Sequence, residues 1–268
     1  MRVALHVVHA RRDKLARLLY RHGYLPLAQV CQSLRVSEAT ARRDMAALVK
    51  DKLITRTYGG ALADYDRRFP SFRERRHQSQ AAKREIAQIG RSTIRAGMTV
   101  FFDAGTTVHA IAAALAARPV PRVSAVTNSL PVAQVLADVR GLAVQLVGGE
   151  FWARQSVLFG PQAQRSLRLW RFDLALLGAE GMTAAGVWNS QADVVAFQRA
   201  AAALSRRTVC CLDSSKLGRK ARVFLMPWRR VDGLVTDARP YELEAAGIRL
   251  DPGQLVRARA WKNRKRRA

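Results

Sequence analysis

The sequence predicts an α+β winged helix-turn-helix domain followed by an α/β domain with a mostly parallel, Rossmann-like sheet. Three observations predict it. Two helical apolar stripes meet through the short link Arg35-Val36-Ser37. A strand-like alternation then runs into the pair Gly59-Gly60. From about residue 97 strand-length and helix-length apolar runs alternate, which implies parallel strands with right-handed crossovers. With 268 residues and 49% hydrophobic content, the chain is long enough for two domains and a sizeable core.

Residues 1–10 read as a loose extension. A first helix from about Arg12 to Arg21 buries Leu15, Leu18 and Leu19, and His22-Gly23 ends it. Pro26 opens a second helix, since the start of a helix does not need its amide. Leu27, Val30, Cys31 and Leu34 continue at helical spacing, with Cys31 toward the core. Ser37 can cap a third helix through Lys50. It forms no capping box, because Thr40 stands where Glu or Gln would be needed. At ~100° per residue Ala41, Met45, Leu48 and Val49 form the inner face. Ala39, Arg43, Ala47 and Lys50 project outward, flanked by Thr40 and Arg42. Small residues and cations suit close approach to a phosphate-lined groove, although an ordinary solvated helix carries such residues too. After it, Leu53 to Tyr58 alternates as a wing, with Arg56 and Tyr58 on one side, able to reach a sugar-phosphate backbone. Residues 64–84 read as a polar linker leading into a helix near Ala81.

In the second half, strands are expected at 99–103, 123–127, 143–147, 173–177 and 208–212, with further ones at 233–236 and 248–250. The first five end in loops: Asp103-Ala104-Gly105-Thr106-Thr107, Asn128-Ser129, Gly148-Gly149-Glu150, Gly178-Ala179-Glu180-Gly181 and Asp213-Ser214-Ser215-Lys216. In a parallel sheet these ends share one edge, where ligands of open α/β sheets bind. Gly105 permits close approach of an anion, Thr106 and Thr107 bring hydroxyls, and the next helix brings free amides. The loop is too short for a nucleotide P-loop and lacks its Lys, so a small phosphorylated metabolite fits better, with Lys216 as a cation from another strand end. The candidate ligand set is Asp103, Gly105, Thr106, Thr107, Asn128, Ser129, Gly149, Glu150, Glu180 and Lys216.

The formal net charge is +26. That favours a polyanionic partner, because Lys and Arg displace counterions from phosphate. Residues 1–80 hold 17 Lys and Arg against 7 acids, and the other +16 lies downstream, so a uniformly basic surface fits as well. Cys31, Cys210 and Cys211 make no disulfide framework. On a strand the vicinal pair would face opposite sides. The five His are scattered, so neither metal nor cofactor is expected. Reduced thiols, no signal-peptide charge order and no apolar run of ~18 residues point to a cytoplasmic chain without a membrane partner. Seven Lys or Arg and no acid after residue 256 make a basic tail, expected to be disordered.

The run Val36-Ser37, Thr40-Ala41-Arg42-Arg43-Asp44-Met45, Leu53, Arg56 and Gly59-Gly60-Ala61 resembles the DeoR family of bacterial transcriptional regulators. The loops at 103–107, 126–129, 148–150, 160–161 and 213–219 resemble its effector domain, so the likeness spans roughly residues 11–251. It implies that Arg42 and Arg43 contact an operator, with Ser37, Thr40, Lys50, Arg56 and Tyr58 beside them. Asp44 would position an Arg instead of touching DNA. It also implies a sugar-phosphate-isomerase-like domain, akin to ribose-5-phosphate isomerase, that senses a phosphorylated sugar or polyol. Met45, Tyr58, Glu180 and Gln198-Arg199 depart from the family's usual Leu, His, Asp and Lys-Arg, and 186–191 is atypical. The expected partition is an extension over 1–10, a DNA-binding domain over 11–63, a linker over 64–84, an effector domain over 85–253 and a tail over 254–268. A two-fold operator implies a homo-oligomer. The alternative is an isomerase with a fused DNA-binding segment, using Glu180 or Asp103 as base.

Overall fold

Leu15, Leu19, Leu25, Val30, Ala41, Met45, Leu48 and Ile54 close into one apolar cluster, and the helical spacing of most of them is the reason. The computed structural model describes residues 5–22, 24–51, 54–57, 60–63 and 70–256. They fall into two units, the first drawn from residues 1–69 with Lys220–Arg222 and the second from Pro70–Arg219 and the residues from Val223 onward. In the first, helix α1 (Leu5–His22) is followed by α2 (Leu27–Leu34) and α3 (Glu38–Lys50). The link between α2 and α3 turns at Arg35, which sits in the left-handed region at φ 53 with its N–H on Gln32 O at 3.3 Å. Strands β2 (Ile54–Thr57) and β3 (Gly60–Ala63) form the expected wing.

The sequence reading needs three corrections here. The first helix begins at Leu5, not Arg12, so 5–10 are no loose extension. No Gly or Pro interrupts the run, and Arg11 and Arg12 are tied to α3. Val49 is 37% exposed, and Asp44, at 1%, takes a place on the inner face. A short strand β1 (Tyr24–Pro26) precedes α2 and pairs antiparallel with β3, making the wing three-stranded. Tyr58 and Gly59 lie outside the described residues.

The second unit opens inside the stretch read as a linker. Ser71 accepts from Glu74 N at 3.2 Å, and Glu74 accepts from Ser71 N at 2.6 Å. This full capping box starts α4 (Phe72–Arg76). Phe72 is buried and meets His109 edge-on at 5.4 Å. Helix α5 (Gln80–Arg91) follows. The core is a six-stranded parallel sheet built from β4 (Thr99–Phe102), β5 (Ser124–Thr127), β6 (Ala143–Leu146), β9 (Leu174–Leu177), β12 (Thr208–Cys211) and β14 (Gly233–Val235). Its order is β14-β12-β9-β4-β5-β6. The chain leaves β4 toward β5 and β6, then returns to β9 and runs the other way. The switch point therefore lies between β4 and β9. Apolar clusters cover both faces, with Cys210 in one and Cys211 in the other, as alternation on a strand requires.

Two antiparallel additions escaped the sequence reading. Strands β7 (Glu150–Trp152) and β8 (Val157–Phe159) form a hairpin, and β10 (Gly181–Thr183), β11 (Gly186–Asn189) and β13 (Val223–Met226) form a second small sheet. Residues 248–250 form no strand. The chain instead reaches the sheet at 254–256: Gln254 is buried with its amide on Trp228 O and Val231 O, and Val256 N bonds Leu234 O. Those three residues belong to this unit and not to a tail, while 257–268 lie outside the described residues.

Candidate functional site

At the switch point the loop after β4 meets the loop after β9. Asp103 Oδ2 accepts from Gly178 N at 3.0 Å and from Gln198 Nε2 at 2.5 Å. Gln198 lies on α9 (Ala192–Ala203) and also donates to Gly178 O at 2.7 Å, while Asn189 Nδ2 donates to its Oε1 at 2.8 Å. Asp103 is 1% exposed, and that burial pushes its carboxyl up to about 7 against the pull of Gln198, two backbone amides and Arg75. Sealed this way, Asp103 ties the two loops together.

Directly after it, Gly105 begins α6 (Thr106–Ala117) at φ 142 with no side-chain cap. A Cβ at Gly105 would meet nothing within 4 Å, so the first turn of the helix opens onto free space. Thr106 is buried and Thr107 half-buried in that turn. Asn128, at the end of β5, is wholly buried; its Nδ2 donates to Leu158 O at 3.3 Å and its Oδ1 has no hydrogen-bond partner among the described residues. Ser129 caps α7 (Leu130–Ala137) by accepting from Val132 N at 3.4 Å, which explains the residue without a ligand. Gly149, at φ 144, lies so close to Phe159 O that an added Cβ would sit at 2.4 Å; its role is the turn into β7. Glu150 is exposed on that hairpin.

The cations converge from elements far apart in sequence. Lys216 ends the short 3-10 turn Ser214–Lys216 after β12, where Asp213 accepts from Ser215. Burial lowers its ammonium pKa, and it feels Asp213, Arg219, Glu180 and Arg75. Sequence reasoning missed Lys83 on α5. It is 7% exposed, with Nζ donating to Arg75 O and Gln78 O at 2.6 Å each. Burial brings its pKa down to about 8, with Asp213, Lys216 and Arg75 as its charged neighbours. An ammonium has three donors, so one remains. Its signal was in the sequence: Lys83, Ile86, Ala87 and Gly90 recur on one helical face, which puts a lysine in an apolar stripe. Glu180 accepts from the Ser190 hydroxyl and from Ser190 N at 3.3 Å. Trp188 lies edge-on to Phe224 at 4.8 Å with its indole N–H on Thr183 Oγ1, a packing role. Among the described residues no group of three His, Cys, Asp or Glu could hold a metal ion, and no helix is long and apolar enough to cross a membrane.

In the first unit Ser37 caps α3, accepting from Thr40 N at 3.4 Å and pairing with Thr40 Oγ1 at 3.1 Å. Arg42 reaches Glu38 at 3.3 Å one turn back. Arg43 and Lys50 are exposed on the outward face, where Ala39 and Ala46 leave the backbone accessible. Asp44 takes Arg11 Nε at 2.6 Å and Arg12 Nε at 3.1 Å, so it does position arginines, from α1 and not from its own helix. Arg56 lies on β2, and Tyr58 lies outside the described residues.

Residues 78–238 match the DeoR C terminal sensor domain, and residues 11–66 match the DeoR-like helix-turn-helix domain. The chain is 30% identical to the HTH-type transcriptional repressor GlcR of Bacillus subtilis (strain 168), over 83% of this chain and 85% of that one. It is 31% identical to the glycerol-3-phosphate regulon repressor of Escherichia coli (strain K12), over 86% and 91% respectively. Among solved structures it is similar to ribose 5 phosphate isomerase A from Neisseria gonorrhoeae at 17% identity and a TM-score of 0.38, over 53% of this chain and 54% of that one.

Proposed function

This chain belongs to the DeoR family of DNA-binding transcriptional regulators, and from that premise we propose that it represses a carbohydrate-metabolism operon and responds to a phosphorylated sugar or polyol. The observation that carries the effector reading is the uncapped first turn of α6 at the switch point, in a unit where the buried Lys83 feels the charge of the half-buried Lys216. Free amides, a helix's positive end and two ammonium groups suit a phosphate. The polar edge around Asn128 Oδ1 suits hydroxyl groups. The printed name of one relative, a glycerol-3-phosphate regulon repressor, points to the same ligand class. Within this reading Thr106, Thr107, Asn128, Lys83 and Lys216 contact the effector, whereas Asp103, Ser129, Gly149 and Glu180 shape the loops.

On the other unit, Arg42, Arg43 and Lys50 face DNA, with Arg56 on strand β2 of the wing beside them. The operator is double-stranded and two-fold, the protein a homo-oligomer in the cytoplasm, and the effector acts by favouring one subunit arrangement. Two measurements test this. A thermal-shift series with phosphorylated sugars and polyols should raise the melting temperature for at least one of them, since a ligand of the folded state stabilises it. A duplex selected in vitro from random sequence should be retarded in a gel and released by that compound. A protein that selects no sequence, or that turns the compound over at enzymatic rates, would overturn the reading.

A further inference from the structure

Two neighbouring arginines on α1 converge on one buried carboxylate of the recognition helix. Arg11 holds Asp44 with both arms of its fork, Nε to Oδ2 at 2.6 Å and Nη2 to Oδ1 at 3.3 Å. Arg12 adds Nε to Oδ1 at 3.1 Å. Asp44 is 1% exposed. A buried carboxylate needs a partner, and the bidentate Arg11 already supplies one. Arg12 is the surplus: two guanidinium groups on one carboxylate leave a net positive charge at this crossing. Arg12 commits only Nε. Its terminal Nη groups have no partner among the described residues, and its side chain is 29% exposed.

The position of this charge on the helix matters. The outward face of α3 is centred on Ala39, Arg43 and Lys50. Asp44 follows Arg43 by ~100° of rotation, at the edge of the inner face that borders the flank carrying Thr40. When a recognition helix lies in the major groove, its outward face meets base edges and its flanks meet the two backbone walls, so a group packed beside a flank from a neighbouring helix such as α1 can reach phosphate. A guanidinium with free Nη donors at that flank matches phosphate geometry, and its anchored Nε removes the rotamer entropy that a free surface arginine loses on binding.

We propose that Arg12, fixed by Asp44 beside the recognition helix, seats a phosphate of the DNA backbone, with Arg11 as the positioning residue that holds Asp44 in place. The site reads no bases. It sets the register and roll of α3 on the duplex and contributes equally to all sequences. This rests on the DNA-binding reading above.

The test uses the full chain and a random-sequence duplex, because a backbone contact needs no operator. Fluorescence anisotropy from about 50 to about 200 mM salt gives the slope of log K against log salt. Arg12→Gln should lower that slope by about 1 and weaken binding roughly five- to tenfold at about 0.1 M salt, with the melting temperature unchanged. Asp44→Asn adds a positive charge, so general attraction predicts tighter binding; a seat that has lost its anchor predicts weaker binding. An Arg12→Gln slope equal to the unsubstituted protein's overturns the proposal and leaves a structural clamp. Should Asp44→Asn fail to fold, Arg12→Gln decides alone. A chain that does not bind the duplex at all overturns the DNA-binding reading itself.

Discussion

Gln198 donates through its Nε2 to Asp103 Oδ2 at 2.5 Å, joining α9 to the first βα loop across the switch point of the sheet. The partner is a neutral amide. The carboxyl is 1% exposed, and the charge of Arg75 favours its ionised form against the burial.

The first prediction follows from the proton on Asp103. Its folded-state carboxyl sits at about 7, whereas an unfolded Asp titrates near 3.9. The folded state therefore binds the proton more tightly. Stability from this group is full below about 4, falls as pH rises to about 7, and is flat above that. Denaturation curves of the unsubstituted protein and Asp103→Asn across this window should diverge, on the order of a few kcal/mol in all, with only the former losing stability to this group. Parallel curves would show that Asp103 is charged throughout.

Two glycines separate a folding requirement from a binding one. Gly149→Ala forces a Cβ to 2.4 Å from Phe159 O at φ 144, and should destabilise the second unit by about 3 kcal/mol or more. Gly105→Ala has a similar φ but open space around it, so only backbone strain of about 1–3 kcal/mol applies. The Gly105 variant should fold and yet give no thermal shift with the effector, because the new methyl stands where the anion approaches. An unimpaired shift would remove the α6 turn from the effector site.

Periodicity made the helices and the parallel strands readable, and shared strand ends made the ligand edge readable. The pieces that escaped are short or interrupted. β1 is three residues and contains Pro26, and β7, β8 and β10 are three residues each, too few for an alternation to stand out. The burial of Asp44 and the whole of Lys83 were missed for a different reason. Both sit at inner-face spacing on amphipathic helices, Asp44 among Ala41, Met45 and Leu48, and Lys83 among Ile86, Ala87 and Gly90. A charge inside an apolar stripe is a detectable signal. What it pairs with depends on contacts across 33 residues for Asp44 and Arg11, which no local pattern encodes. Ser129 and Gly149 stood out as loop residues, but their roles, a helix cap and a tight turn, needed the fold.

The recognition helix supplies a third prediction. Arg43 is exposed on the outward face, while Arg42 is held by Glu38 at 3.3 Å in an exposed pair worth little to stability. Arg43→Ala should weaken binding to a selected operator by at least about tenfold, roughly the 1–3 kcal/mol of one base contact, with the melting of the second unit unchanged. Arg42→Ala should cost less and change the salt dependence more. Gel retardation at one fixed salt concentration measures the first, and a salt series the second. Equal operator affinity for Arg43→Ala would move base reading elsewhere on the helix.

The last prediction concerns the pH range in which the effector binds. Lys83 titrates at about 8, lowered by burial, and Lys216 is lowered for the same reason. A phosphate dianion stabilises the charged ammonium, so binding raises both pKa values and takes up protons wherever the free protein has lost them. Effector affinity should therefore be highest near pH 7, where the phosphate is a dianion and Lys83 is charged, and fall as pH rises through about 8. Asp213, Glu180, Arg75 and Arg219 are the other charged groups acting on this pair. In Lys83→Gln the overall affinity should drop, and the fall near pH 8 should shrink to the part that Lys216 contributes. Isothermal titration in two buffers of different ionisation enthalpy counts the protons directly. An uptake that is the same in Lys83→Gln as in the unsubstituted protein would exclude Lys83 from the effector site while leaving Lys216 in it.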